Sequence, residues 1–157
     1  METRHCSIIR PAVSNDLDAI SEIEQKCFSG PIAYSKRQLS YLILHAKSAC
    51  FVESCGNVVR GFVIVTYHKR SLSGHIETID VDPAYTKLGI GLKLLKFAEE
   101  DMLKRGKHQS QLEVSEGNKI AIKLYEKAGY VPKAWIKQYY TYEHEGTHDA
   151  IRMVKSL

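Results

Sequence analysis

The stretch DVDPAYTKLGIGLKLL, residues 80–95, decides the fold. It runs from a strand end, through a turn, into a helix. Upstream, HIETIDV (75–81) is rich in β-branched residues and reads as a strand closed by Pro83. Downstream, from Gly89 to Arg105, Leu92, Leu95, Ala98 and Met102 recur on one side of a helix. Lys93, Lys96, Glu100 and Lys104 take the other side, and Gly106 ends it. The turn carries Gly89 and Gly91, with Thr86 ahead of them. A glycine turn that opens a helix presents unpaired N–H groups at the positive end of the helix dipole, which suits a phosphate. Glycines remove side chains that would hold the phosphate away, and Lys87 and Lys93 add positive charge. No Gly-Lys-Ser/Thr follows, so this is not a P-loop, and Leu94 breaks the dinucleotide fingerprint. Alone, two glycines before a helix are a weak signal, more often a tight turn than a ligand site.

Outward from this stretch, strands and helices alternate. SIIRPA (7–12) reads as a first strand stopped by Pro11. Ser14 and Asn15 offer N-cap oxygens to a helix that carries Leu17, Ile20, Ile23 and Cys27 and runs to about Phe28. After the loop SGPIAY, Ser35 and Gln38 form a capping box for a second helix with Leu39, Leu42 and Ile43 on its apolar face. SACFVES and VVRGFVIVTYH read as strands joined by a Cys55-Gly56-Asn57 hairpin turn. SQLEV (110–114) is a short strand, and Lys119 to Ala128 a helix ended by Gly129. YVPKAWIKQYYTY and DAIRMV read as two last strands around the turn EHEGTH. Helices on a mostly antiparallel sheet, parallel only around the third helix, make an α/β sandwich.

The chain has 157 residues, 44% apolar and 25% charged, which fits one ordinary globular domain over 1–157. METRHCSIIR lacks the apolar core of a signal peptide, and no stretch approaches a membrane span, so a cytoplasmic protein without membrane contact is expected. Net charge is +4, a mild excess that favours an anionic ligand without singling out nucleic acid. Cys6, Cys27, Cys50 and Cys55 form no CxxC pair. They read as small buried hydrophobes rather than metal ligands or a disulfide, and no metal is expected.

Three further residues bear on the glycine turn. Glu113 closes the strand SQLEV, and Asn118 and Tyr125 lie seven residues apart, about two helical turns. If HIETIDV and SQLEV are neighbours, a phosphate site, a carboxylate and a phenol surround one cleft. Without that adjacency, Glu113 is a solvated strand end and Tyr125 a core aromatic.

GHIETIDVDPAYTKLGIG, LEVSEGNKIAIKLYEKAGY, and QYY with a later DAIRM resemble the GNAT superfamily of acetyl-CoA-dependent N-acetyltransferases over nearly the whole chain. More narrowly they are similar to the protein N-terminal acetyltransferases, of the RimI type that modifies a ribosomal protein and its archaeal and eukaryotic relatives. The resemblance implies the GNAT fold: a mixed, mostly antiparallel sheet of about seven strands flanked by four helices. It implies that the backbone of Lys87, Leu88, Gly89, Ile90, Gly91 and Leu92 holds the pyrophosphate of CoA. Ile79, Asp80 and Val81 then pair with the pantetheine arm, and the Val81 N–H polarises the thioester carbonyl. Asn118 contacts the cofactor. Tyr125 protonates the leaving thiolate, and Glu113 is the general base, with His75 as a second candidate from the match of Gly74-His75-Ile76 to the archaeal pattern. Thr86 stands where the family usually has Gln or Arg, and His148 where it usually has Glu.

By the same resemblance, the acceptor enters between FSGPIAY and the last hairpin. Phe28, Pro31, Ile32, Tyr34, Tyr139 and Tyr140 are the candidates, with an apolar first pocket at Ile32. An α-amino group of pKa ~8 is ~10% neutral at pH 7, against less than ~0.1% for a lysine at ~10.4. Modest base help therefore suits a protein N-terminus, and association with the ribosome fits the RimI likeness. The alternative acceptor is a small amine, such as a polyamine or an amino sugar.

Overall fold

The computed structural model describes residues 6–45 and 47–157. The first five residues, part of the stretch read above for a leader, lie outside it. Seven strands are present: β1 (Ser7–Pro11), β2 (Ser48–Cys55), β3 (Val58–Tyr67), β4 (Ser73–Val81), β5 (Gln109–Ser115), β6 (Val131–Ile136) and β7 (Ala150–Ser156). Four helices accompany them: α1 (Leu17–Cys27), α2 (Lys36–Leu44), α3 (Ile90–Lys104) and α4 (Lys119–Lys127). All seven strands form one sheet in the order β1-β2-β3-β4-β5-β7-β6.

Strand alternation divides the core into two layers. Ala49, Phe51, Val63 and Val65 pack toward Leu94, Leu95, Ala98 and Met102 of α3. Their neighbours Cys50, Val52, Phe62 and Ile64 face the other way, onto Ile20 and Ile23 of α1 and Leu39 of α2. Each fully buried Leu, Ile or Phe contributes about 1.5–3 kcal/mol over its exposed state. Every strand contact is antiparallel except one. β4 and β5 run parallel, joined through α3, but only Ser73, Gly74 and His75 pair with Gln109, Ser110 and Gln111. Beyond His75 the two strands part, leaving a gap at their carboxyl ends.

β4 also carries an extra residue. Ile64 pairs with Thr78 and Val65 with Ile76, so Glu77 has no partner of its own on β3. This bulge re-aims the strand just where the gap opens.

The local signals are mostly realised. Ser35 and Gln38 form the expected reciprocal cap, with the Gln38 N–H donating to Ser35 Oγ at 3.1 Å and the Ser35 N–H to Gln38 Oε1 at 2.8 Å. Two readings need correction. Ser14 and Asn15 do not cap α1; they lie with Asp16 in a short 3-10 turn. Asp16 instead accepts the Val13 N–H and pairs with Arg10. The cysteine reading also fails in part. Cys6 and Cys55 form a disulfide, because β1 pairs with β2 through Ser7 and Cys55 and brings the two Cα atoms to 4.9 Å. Cys27 and Cys50 remain free, half-buried and buried respectively.

Candidate active site

The glycine turn sits at the open end of the gap. Asp82 begins it, accepting the Ala84 N–H at 3.0 Å and pairing with Lys26. Lys87 and Gly89 both take left-handed backbone, with φ 66° and 78°. Glycine adopts that conformation without strain, whereas lysine seldom does. α3 starts at Ile90, and its first capping bond runs from the Lys93 N–H to Gly89 O at 3.1 Å. The N–H groups of Ile90, Gly91 and Leu92 therefore have no acceptor within the helix. The Thr86 hydroxyl folds back onto Pro83 O at 3.4 Å and leaves the turn's N–H groups clear.

Gly91 tests whether the gap fits a ligand. A Cβ built there meets nothing nearer than Leu124 at 3.5 Å and Val81 at 3.7 Å, which is ordinary contact. The protein's own packing does not require glycine at 91, although the residue is inside a helix. A Cβ would instead project into the crevice between β4 and α4. Gly91→Ala is accordingly expected to stabilise the fold by about 0.5–1 kcal/mol. It is expected to weaken acetyl-CoA about fivefold, roughly 1 kcal/mol. Thermal melts and calorimetric titration of the variant check the two halves; unchanged affinity would remove Gly91 from the site.

β4 lines one wall. The Asp82 N–H donates to Arg60 O on the β3 side at 2.8 Å. Alternation turns the N–H groups of Val81 and Ile79 the opposite way, into the gap. On the facing wall, Asn118 is the N-cap of α4 rather than a residue on its stripe. Its Oδ1 accepts the Ala121 N–H at 3.1 Å, which leaves the amide NH₂ for a ligand. Tyr125 is buried, its ring edge-on to Tyr130 at 6.0 Å. Among the described residues its hydroxyl has no hydrogen-bond partner. Burial, then the nearby Asp80 and Tyr140, raise its pKa, so the phenol keeps its proton.

At the closed end, β4, β5 and β7 bring four charged groups together. His75 Nε2 lies 2.5 Å from Glu113 Oε2. The other oxygen of Glu113 accepts from Arg152 Nε at 3.0 Å. His75 Nδ1 faces Thr66 Oγ1 at 3.4 Å and Glu77 Oε1 at 3.7 Å. The Glu113 side chain is only 6% exposed, against 26% for His75. Burial pushes the carboxyl of Glu113 up, but the bonds from His75 and Arg152 outweigh it and hold the pKa below its ordinary value. Burial likewise pushes His75 down, and the two carboxylates overcome it, raising the imidazole to about 9.

The acceptor-side residues fall on two loops that meet. Tyr34, after α1, donates its hydroxyl to Glu77 at 3.2 Å. Pro31 is exposed and Ile32 half-buried in the 3-10 turn that precedes it. Tyr139 and Tyr140 belong to the loop after β6, since QYYTY does not continue the strand. Tyr140 stacks on His144 at 3.9 Å, and His144 approaches Phe28 at 6.2 Å, closing the two loops together. The loop is anchored from below: Ser115 Oγ donates to His144 O at 2.6 Å, and a Cβ at Gly117 would lie 2.2 Å from Glu145 O. His148 points Nδ1 at Tyr140 O, 2.9 Å away.

Sequence reasoning missed Arg152, Glu77, Thr66 and His144. Strand alternation in HIETID was the signal available for Glu77, since it places residues 75 and 77 on one side. It missed Glu24 as well. Glu24 Oε1 accepts the Tyr34 N–H at 3.2 Å. Its Oε2 and Asp80 Oδ2 are the two fully buried side-chain oxygens without a partner among the described residues.

A parallel strand pair splays beside a glycine-opened helix, with a tyrosine on one wall and a histidine–carboxylate pair at the apex, in an α/β fold. The chain matches the family described as Acetyltransferase (GNAT) family over residues 17–130 and belongs to it. GNAT acetyltransferases use acetyl-CoA, and a similar solved structure from Bacillus anthracis, at 23% identity and TM-score 0.76 over 96% of this chain and 98% of its own, holds acetyl coenzyme A. An uncharacterized N-acetyltransferase of Methanocaldococcus jannaschii is 32% identical over 94% of this chain and 90% of its own length. Human N-alpha-acetyltransferase 30 is 30% identical over 88% of this chain, which spans 39% of that longer protein. The ribosomal-protein-S18-alanine N-acetyltransferase of Escherichia coli superposes with TM-score 0.83 at 27% identity, over 96% of this chain and 93% of its own. No helix among the described residues is long and apolar enough to cross a membrane.

Proposed function

We propose that this chain transfers acetyl from acetyl-CoA to the N-terminal α-amine of a protein, by direct attack in a ternary complex in the cytoplasm. The observation that carries the reading is the His75–Glu113 pair at the apex of the β4–β5 gap, opposite Tyr125 and the N–H groups of the Gly89–Leu92 turn. Relatives named as N-terminal acetyltransferases support the choice of acceptor.

In this reading the turn's N–H groups hold the pyrophosphate and the Ile79 and Val81 N–H groups receive the donor's arm. The Val81 N–H takes up charge as the carbonyl oxygen becomes an oxyanion. The amine forms the new C–N bond as that oxyanion develops, and the C–S bond breaks when the oxyanion collapses back to a carbonyl. His75 and Glu113 titrate as a unit and take the amine proton, with Arg152 fixing the carboxylate. Tyr125 supplies its hydroxyl proton to the departing sulfur. The half-buried and buried thiols of Cys27 and Cys50 are pushed up to about 12 by burial, so neither serves as a nucleophile.

The test is an acetyl-CoA assay on peptides with free N-termini, on N-terminally blocked peptides containing lysine, and on spermidine. Free N-termini are expected to be acetylated and blocked peptides not. Rates should rise from pH 7 toward 9, as His75 gives up the proton it holds to about 9. Acetylation of spermidine alone would move the chain to the small-amine class.

A further inference from the structure

We propose that Glu77 recognises the acceptor, and that it favours amines carrying a second positive charge close to the reacting nitrogen. The proposal rests on the acetyl-transfer reading and narrows its acceptor. The carboxyl side chains of Glu113, Glu24 and Asp80 are less accessible than that of Glu77. Glu113 is bonded on both oxygens, by His75 and Arg152. Glu24 and Asp80 are 1% and 2% exposed. The Glu77 side chain is 28% exposed. Its Oε2 accepts one hydrogen bond, from Tyr34, at 3.2 Å. Its Oε1 stands 3.7 Å from His75 Nδ1, too far for a hydrogen bond. That nitrogen also faces Thr66.

Glu77 therefore keeps open lone pairs on a part-exposed side chain, at the extra residue of β4 and beside His75. Arg152 offsets the charge of Glu113, whereas Glu77 shares only the imidazole. Tyr34 holds Glu77 as a donor, because burial and then the Glu77 charge keep the phenol protonated. The loop FSGPIAY carries no carboxylate, and in the loop after β6 Glu143 lies 4.0 Å from His148 and Asp149 accepts the Gln138 N–H. A cation placed here meets a carboxylate beside the rings of Tyr34 and Tyr139, and aromatic faces also favour positive charge. Two sources share this chemistry: a protein N-terminus whose second residue is lysine or arginine, and a polyamine.

The experiment measures kcat/KM at saturating acetyl-CoA for wild type, Glu77→Gln and Glu77→Lys. The acceptors are peptides beginning Met-Lys, Met-Leu and Met-Glu, and spermidine. Wild type is expected to prefer Met-Lys or spermidine over Met-Leu by about tenfold, the size of one charge-assisted hydrogen bond, expressed mainly in KM. Whichever of the two is faster identifies the source. Glu77→Gln should bring the Met-Lys to Met-Leu ratio close to one, and Glu77→Lys should favour Met-Glu over Met-Lys. Equal wild-type rates on Met-Lys and Met-Leu with poor use of spermidine, or a preference that survives Glu77→Gln, overturns the proposal while leaving acetyl transfer intact. Wild type that acetylates none of the four overturns both. If Glu77→Lys does not fold, the Glu77→Gln ratio decides alone.

Discussion

Tyr125→Phe is expected to lower kcat by about 10²- to 10³-fold, the usual worth of a positioned proton donor. Acetyl-CoA affinity and melting temperature should barely move. The expectation follows from how the residue is held. Its ring is buried against Tyr130, so the packing that phenylalanine must reproduce is apolar. Its hydroxyl bonds no described residue, so its removal leaves no protein group unsatisfied. A structural tyrosine would show the opposite pattern. Tyr130 offers that contrast within the same core, since its hydroxyl donates to Glu99 at 3.0 Å and accepts from Ser110 Oγ at 2.6 Å. Tyr130→Phe should cost stability, by about 1 kcal/mol or more, and little in chemistry. Single-turnover rates with both variants separate the roles. A Tyr125→Phe enzyme within threefold of wild type would mean that the sulfur leaves without this hydroxyl.

What was legible in the chain was local. The strand end, the glycine turn and the helix after it follow from neighbouring residues, and the structure places α3 at Ile90 as the pattern implies. The capping box at Ser35 is equally local. What could not be read was set by sheet order. Arg152 reaches Glu113 because β7 lies beside β5, a neighbourhood that brings together residues 39 apart in the chain. Cys6 meets Cys55 through the β1–β2 register in the same way. The bulge at Glu77 is a mismatch between two strands, so neither strand alone shows it. QYYTY has strand-forming residues, yet Gln138 takes a left-handed φ of 54° and its N–H is held by Asp149 at 2.9 Å. Tertiary anchoring overrode propensity there.

Asp80→Asn is expected to stabilise the protein, and increasingly so as pH rises. Asp80 Oδ2 and Glu24 Oε2 are buried with no partner among the described residues, and two ionised carboxylates cannot satisfy each other. One proton between them can. Burial, then the facing Glu24, raise the pKa of Asp80 well above its ordinary value, so the folded chain holds a proton there. The unfolded chain releases that proton above a pKa of about 3.9. Stability from this group is therefore complete below about pH 4 and is lost as pH rises through the raised folded value. An asparagine amide donates to Glu24 without binding a proton and removes this dependence. Relative to wild type, the gain should be near zero at pH 4. At pH 8, where the unfolded chain has released the proton that the folded chain still holds, the gain should be clearly positive. For a chain of this length each 1 kcal/mol of gain reads as roughly 2–4 °C in Tm. Thermal unfolding of both proteins at the two pH values checks it, and an equal or reversed difference at pH 8 would show that Glu24 and Asp80 do not share a proton. The consequence reaches the site. Glu24 accepts the Tyr34 N–H, and Asp80 lies in β4 three residues after Glu77, so this proton ties the acceptor loop to the strand that faces it.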